Sequence, residues 1–234
     1  MKKSLIISIL AISIVVLSGC QKTTSTTATM PEYMSGNYDA KTHMLTLREK
    51  WLTQMPDICA DITTGNMLYD IRFIDLWNNQ ITSINADYSC LWNLQELNLS
   101  YNKLSLIKNL DKLKFLSKLE LHKNKITSAD WLEKLTRLTN LNLWYNQISD
   151  ISALKTLKNL NTLELQQNQI SDISPLSALV NLETLKLEFN KIADESQLKI
   201  FEYLKNLKRI SLWMNKLPQD KVQALQDKIN PIQQ

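Results

Sequence analysis

Ile71-Arg72-Phe73-Ile74-Asp75-Leu76-Trp77-Asn78-Asn79-Gln80-Ile81 is the first clear copy of the pattern L-x-x-L-x-L-x-x-N-x-I/L, and this pattern decides how the chain folds. Further copies begin at Leu94, Leu116, Leu138, Leu160, Leu182 and Leu207, seven in all. Their asparagines are Asn79, Asn102, Asn124, Asn146, Asn168, Asn190 and Asn215, 22 residues apart through the middle of the array, with 23 at the start and 25 at the end. Self-similarity at such a fixed period is the signature of stacked units. Within each copy the two leucines of x-L-x-L-x share one side of a short strand, while the residues flanking them point to the other side. No single copy buries its own leucines, so each coil serves as the wall for its neighbours, and the stacked strands form a parallel sheet over one continuous core. An asparagine carried inward at every turn is costly unless it is hydrogen-bonded. The seven asparagines are therefore expected to form a structural ladder bonded to turn backbone, with no catalytic part.

These segments, with Asn168-Gln169-Ile170-Ser171-Asp172-Ile173-Ser174-Pro175-Leu176 as the nearest match, resemble leucine-rich repeats of the internalin type. The resemblance covers about Leu45 to Leu217. It implies an α/β leucine-rich-repeat solenoid, a curved horseshoe with a parallel concave β-sheet, short 3-10 or irregular convex segments and a C-terminal helical cap. It also implies an adhesion or host-interaction module whose partner is a protein.

A solenoid needs caps at both ends, where it would otherwise expose leucines. At the front, Leu45-Thr46-Leu47-Arg48-Glu49-Lys50-Trp51-Leu52 fits the repeat with Lys50 in the asparagine position, and Met55-Pro56 follow, which reads as a degenerate capping repeat. Cys59 follows this cap by a distance similar to that of Cys90 after Asn79. The two are candidates for a disulfide across adjacent coils, the alternative being two small buried hydrophobes. At the back, Pro218-Gln219-Asp220 is expected to start a helix with Val222, Leu225 and Ile229 on one face, ending near Pro231. The longer final spacing is expected to hold another helix around Ser196 to Leu204 on the convex side.

The first residues are read as a targeting device. Lys2 and Lys3 precede an apolar run from Leu5 to Leu17, broken by Ser8 and Ser13 and too short for a comfortable membrane span. The run ends in Leu17-Ser18-Gly19-Cys20, which resembles the lipobox of bacterial lipoproteins. That resemblance implies cleavage before Cys20, lipidation of its thiol and membrane attachment through acyl chains, each buried methylene adding roughly 0.8 kcal/mol. Gln21 is not the Asp that resembles an inner-membrane retention signal, so the expected location is the bacterial envelope, at the outer membrane or cell surface. The expected organisation is a signal peptide over 1–19, a Thr- and Ser-rich tether over 20–37, an N-terminal cap over 38–70, seven repeats over 71–217 and a C-terminal cap over 218–234.

Removing Lys2 and Lys3 takes the formal charge from +4 to +2. Neither value implies a strong field toward nucleic acid or a membrane surface.

Function is expected on the outward strand positions, because folding does not dictate them. The residue after the second strand leucine runs Trp77, Ser100, His122, Trp144, Gln166, Glu188, Trp213, and the next runs Asn78, Tyr101, Lys123, Tyr145, Gln167, Phe189, Met214. Three tryptophans in one column, three repeats apart, would lie about 14 to 15 Å from one another at ordinary strand spacing. Large aromatics left on a surface are usually anchors for a partner, the alternative being that they stack together and merely cover the sheet. Phe73 and Arg209 extend this face at its two ends. The expected partner-binding set is thus Phe73, Trp77, Tyr101, His122, Trp144, Tyr145, Phe189, Arg209 and Trp213.

The interleaved charges are mixed (Asp75, Glu96, Lys118, Glu120, Lys123, Glu164, Lys186, Glu188), whereas nucleic acid would need a basic stripe. A protein partner fits better, with an envelope scaffold for a protein of the same cell, or carbohydrate stacked on the aromatic column, as alternatives. Catalysis needs a nucleophile, a base and an orienting group in one place, and the two histidines, His43 and His122, have no such company. His122 is expected to be a solvated residue of the binding face. With no H-E-x-x-H or C-x-x-C spacing, and three glycines in total, no metal site, phosphate loop or cofactor is expected.

Overall fold

The computed structural model describes residues 32, 34–56, 58–59 and 71–230. The signal sequence, Cys20, most of the tether and the last four residues lie outside them.

Eleven short strands are arranged in chain order: β1 (Tyr38–Asp39), β2 (Met44–Thr46), β3 (Phe73–Asp75), β4 (Ser83–Ile84), β5 (Glu96–Asn98), β6 (Leu106–Ile107), β7 (Lys118–Glu120), β8 (Asn140–Asn142), β9 (Thr162–Glu164), β10 (Thr184–Lys186) and β11 (Arg209–Ser211). Nine of them form one sheet in the order β1-β2-β3-β5-β7-β8-β9-β10-β11, and β4 and β6 pair separately. Apart from the antiparallel β1–β2 pair at the edge, the large sheet is parallel, with Ile74, Leu97, Leu119, Leu141, Leu163, Leu185 and Ile210 in register as its central inward row. The solenoid is thus a parallel sheet of leucine-rich coils.

Each inward leucine is essentially inaccessible to water, and burying one contributes roughly 1.5 to 3 kcal/mol relative to an exposed side chain. The core runs without a break from Met34 to Val222.

The asparagines bridge adjacent coils in a repeated three-way pattern. Asn124 Oδ1 accepts from Leu104 N of the preceding coil at 2.9 Å, and its Nδ2 donates to Leu99 O of that coil and Leu121 O of its own, each at 3.0 Å. The same arrangement recurs at Asn79, Asn102, Asn146, Asn168, Asn190 and Asn215. Each side chain satisfies one amide and two carbonyls that the strand ends leave open.

The convex side returns through 3-10 turns, among them Ser152–Thr156, Ser174–Ala178 and Glu195–Glu202. An acidic residue opens several of them: Asp150 accepts from Ser152 N, Asp172 from Ser174 N and Asp194 from Ser196 N, all at 2.8 Å. The segment expected as a helix near Ser196 is the last of these 3-10 turns. A 22-residue coil leaves too little chain for a full α-helical return, and even the 25-residue final coil closes with the tighter winding.

Both ends are covered. Cys59 and Cys90 form a disulfide with a sequence separation of 31, fastening the N-terminal coil to the next; closing a loop of that size contributes about 3 to 4 kcal/mol in the chain-entropy picture. At the other end α1 (Gln219–Ile229) packs Val222 into the core. Polar residues of this cap also close the sheet edge. Gln226 Oε1 accepts from Leu212 N at 3.0 Å, and Asn230 both accepts from Ile210 N and donates to Ile210 O at 2.8 Å.

Candidate functional site

The concave face is built by the residues that strand alternation turns away from the core. Its two outward columns are positioned by backbone rather than by chance. Where a strand ends in an Asx residue, that side chain caps the amide two residues on: Asp75 for Trp77, Asn98 for Ser100 and Asn142 for Trp144, at 3.0 to 3.1 Å. The following residue then takes a left-handed conformation. Asn78, Tyr101, Lys123, Tyr145, Gln167, Phe189 and Met214 have φ between 53° and 57°. That geometry suits Asn or Gly, and other L-residues adopt it at a cost of roughly 1 to 2 kcal/mol. Six of these seven positions hold neither Asn nor Gly, so local folding preference does not account for the residues found there.

The amino-terminal half of the face is a connected aromatic path. Trp77 meets Tyr101 with ring centroids 5.5 Å apart, Tyr101 meets His122 edge-on at 5.4 Å, and His122 stacks on Trp144 at 5.7 Å. The Lys123 ammonium lies over both the Tyr101 and Trp144 rings, at 4.5 and 4.9 Å. The Trp144 indole N–H donates to Gln167 Oε1 at 2.6 Å. Trp77 and Trp144 are consequently half-buried members of a platform and not free-standing posts.

Towards the carboxyl end the large apolar side chains stand clear. Tyr145 is 53% exposed, Phe189 51%, Trp213 37% and Met214 64%.

Several residues differ from their expected settings. Ser100, in the outward column, is fully buried, and its hydroxyl turns back to donate to Asn98 Oδ1. Asp75, counted among the open-face charges, is 3% exposed; the Arg48 guanidinium reaches across from the preceding coil to pair with it, and Asn98 Nδ2 donates to it at 3.1 Å. His122, expected to be solvated, is held between Tyr101 and Trp144, and its Nδ1 lies 3.5 Å from Glu120 Oε2. Phe73 is half-buried at the amino-terminal end of the sheet. Arg209 is exposed on the last strand and donates through Nε to Thr184 Oγ1 at 3.2 Å.

Burial pushes the Glu120 carboxyl up, but the His122 imidazole 3.5 Å away and the nearby charge of Lys118 outweigh it and hold the group below its ordinary value. Lys186 and Glu164 make a further ion pair on the face, at 2.9 Å. Nothing in this set combines a nucleophile with a base. Among the described residues no group of three or more His, Cys, Asp or Glu is placed to hold a metal ion, and no helix is long and apolar enough to cross a membrane.

A second ladder, not anticipated from the sequence, runs where the coils enter the sheet. Asn159, Asn181 and Asn206 donate through Nδ2 to Thr136 O, Lys158 O and Val180 O of the coils before them, at 2.8 to 2.9 Å. In the same row stand Phe115 and Arg137, with the guanidinium 4.5 Å from the ring. An open groove of about 530 Å³ follows this row. The 22-residue recurrence from Asn159 to Asn181 was the available signal.

The comparisons agree with this architecture. The family described as Leucine Rich repeats (2 copies) matches residues 71–114, 114–156 and 158–200. The chain belongs to the leucine-rich-repeat family. Among solved structures it is similar to an internalin from Listeria monocytogenes, with 26% identity and a TM-score of 0.57 over 76% of this chain and 57% of the internalin. It is also similar to a second internalin of that species, with 29% identity and a TM-score of 0.57 over 73% of this chain and 80% of that one. A leucine-rich-repeat protein of Leptospira interrogans gives 29% identity and a TM-score of 0.63 over 74% of this chain and 49% of its own. The chain thus spans little more than half of the first internalin. A search of curated proteins finds no match.

Proposed function

We propose that this chain is a recognition module of the bacterial envelope, attached to a membrane by lipid at Cys20, that binds another protein on its concave face and catalyses no reaction. One observation carries the reading. Tyr145, Phe189 and Met214 hold large apolar side chains out to solvent from left-handed backbone positions, against both hydrophobic burial and backbone preference. Side chains kept at such a cost suit contact with a partner, where rigid aromatics in a protected centre dominate binding.

The continuous path from Trp77 to Trp144 supports the reading, since an ordered platform loses little conformational freedom on binding. The similarity to internalins supports an adhesion or host-interaction role. The Cys59–Cys90 disulfide supports an oxidising compartment outside the cytoplasm.

The test replaces Tyr145 by the photo-crosslinking analogue benzoylphenylalanine in living cells. A defined protein captured on illumination, and lost when Phe189→Ala is added, is the expected result. Capture of nothing but lipid and neighbouring copies would remove the concave face as a protein-binding site. Protease shaving of intact cells then separates an outward-facing adhesin, which is removed, from a scaffold for a protein of the same cell, which is spared. Cys20→Ser should release the chain from the membrane fraction.

A further inference from the structure

The outward column between Trp144 and Trp213 consists of Gln166 and Glu188, two residues past the ends of β9 and β10, where the parallel pairing continues through the 2.8 Å hydrogen bond from Gln167 N to Glu188 O. Adjacent strands in a sheet lie about 4.8 Å apart, so the two side chains stand side by side. Gln166 Oε1 and Glu188 Oε2 are both buried from solvent and both lack a hydrogen-bond partner among the described residues. Buried polar atoms are nearly always paired, which makes two adjacent orphans on a surface sheet a sign of an absent donor.

The surroundings specify what that donor is. Both orphaned atoms are acceptors, and one belongs to a carboxylate. The cations close by are already engaged: Lys186 with Glu164 at 2.9 Å, Lys123 over Tyr101 and Trp144, and Arg209 with Thr184. Glu188 takes part in no ion pair among the described residues. Aromatic rings border the pair on both sides, with Trp144 and Tyr145 toward β8, Trp213 toward β11 and Phe189 next to Glu188. A carboxylate and an amide oxygen ringed by aromatic faces attract a cation through charge-assisted hydrogen bonds and through the ring quadrupoles.

We propose that Gln166 and Glu188 form a socket for a cationic side chain of the protein partner, an arginine guanidinium or a lysine ammonium. This rests on the reading of the concave face as the partner-binding surface. The cation pairs with the Glu188 carboxylate, and the Gln166 and Glu188 side chains swing outward as it enters so that the covered Gln166 Oε1 and Glu188 Oε2 accept from it, while its alkyl stem lies along Phe189 and Trp213.

Acetylated, amidated pentapeptides of glycine with a central arginine, lysine, citrulline or glutamate are titrated into the full chain, solubilised in detergent and 15N-labelled at tryptophan. The readout is the indole N–H resonances of Trp144 and Trp213, identified by Trp144→Phe and Trp213→Phe. The expected result is a saturable shift at Trp213 with the arginine or lysine peptide and none with citrulline or glutamate. Glu188→Gln should weaken it at least fivefold, while Glu183→Gln, whose carboxylate pairs with Lys208 elsewhere, leaves it unchanged. Stronger binding of arginine assigns a guanidinium socket and stronger binding of lysine an ammonium socket; either supports the proposal.

Equal response to citrulline, insensitivity to Glu188→Gln, or an equal shift with N-acetylglucosamine at the same concentration would overturn it. So would tryptophan resonances that move on diluting the protein alone, which would place a second copy of the chain on this face. The peptide titration does not depend on the natural partner, so its failure is distinct from failure of the crosslinking experiment.

Discussion

The imidazole of His122 lies almost flat against the indole of Trp144, with ring centroids 5.7 Å apart and planes 25° from parallel. This contact joins two neighbouring coils at the middle of the concave sheet and fixes the orientation of the indole, whose N–H is committed to Gln167. His122→Ala should therefore free the Trp144 ring without disturbing the leucine core. The expected stability loss is about 1 kcal/mol, the size of an aromatic pair beyond its buried area. Near-ultraviolet circular dichroism should weaken while the far-ultraviolet spectrum stays unchanged. An unaltered tryptophan signal would show that Gln167 alone holds the indole.

Asn146 sits at the centre of the asparagine ladder, accepting from Ile126 N and donating to Leu121 O and Leu143 O at 3.0 to 3.1 Å. Alanine there leaves Ile126 N without its partner, an unmet buried donor costing about 1 to 3 kcal/mol, while Leu121 O and Leu143 O each lose one of two bonds and keep those from Asn124 and Asn168. Denaturant titration of Asn146→Ala should accordingly show a loss of about 2 to 3 kcal/mol. Asn215 makes the same three contacts in the last coil but is half-exposed. Water can replace part of its bonding, and Asn215→Ala should cost clearly less.

The inward half of this molecule was legible in the sequence because stacking forces it to repeat. A leucine that walls the next coil and an asparagine that bonds it must recur at every turn, as Leu119, Leu141 and Leu163 do with Asn124, Asn146 and Asn168. The outward half is free of that demand, so register located its columns without revealing their contacts. Asp75 read as a surface charge because nothing along the chain shows Arg48 reaching over from the coil before. Gln226 and Asn230 escaped notice because reading a helix by its apolar face passes over polar side chains that close a sheet edge. The exposed aromatics could be placed, but their left-handed backbone follows from how strand, turn and asparagine join, not from their residue types.

Acid should destabilise the fold, and the sign follows from the carboxylates. The hydrogen bonds from Ser152 and Ser196 hold Asp150 and Asp194 below the ordinary carboxylate value. For Glu120, burial pushes upward, yet the adjacent His122 imidazole and the charge of Lys118 bring it down overall. A carboxylate lowered in the folded state contributes stability that is present above its unfolded value, near about 4, and is lost as pH falls through the folded value. Urea midpoints should stay level from neutral pH to about 5 and drop below about 4. Asp150→Ala should flatten that drop, and an unchanged slope would remove the turn caps as its cause.

The last strand is kept from pairing with other chains by its cap. Gln226 and Asn230 occupy Leu212 N, Ile210 N and Ile210 O on β11, and an uncovered strand edge is a template for association. Replacing both by alanine opens that edge while Val222 still packs in the core. Light scattering should show concentration-dependent oligomers in the double variant and a lower order of association in the parent. If the variant behaves as the parent does, apolar packing of the helix suffices to block the edge.

Phe189 offers a direct separation of folding from function. Its φ of 56° is a conformation that asparagine tolerates and phenylalanine does not favour, and its ring is half in solvent. Phe189→Asn should relieve backbone strain of about 1 kcal/mol, offset in part because the buried half of the ring no longer packs on the sheet. Net stability should hold or rise slightly in denaturant titration. Binding should move the other way, since loss of an exposed aromatic anchor costs about 2 kcal/mol or more when it lies at the centre of an interface. Capture of a partner by the Tyr145 crosslinker should then fall sharply in a chain at least as stable as the parent. A variant that unfolds more easily yet crosslinks as before would mean that the ring serves the fold and that partner contact lies elsewhere on the sheet.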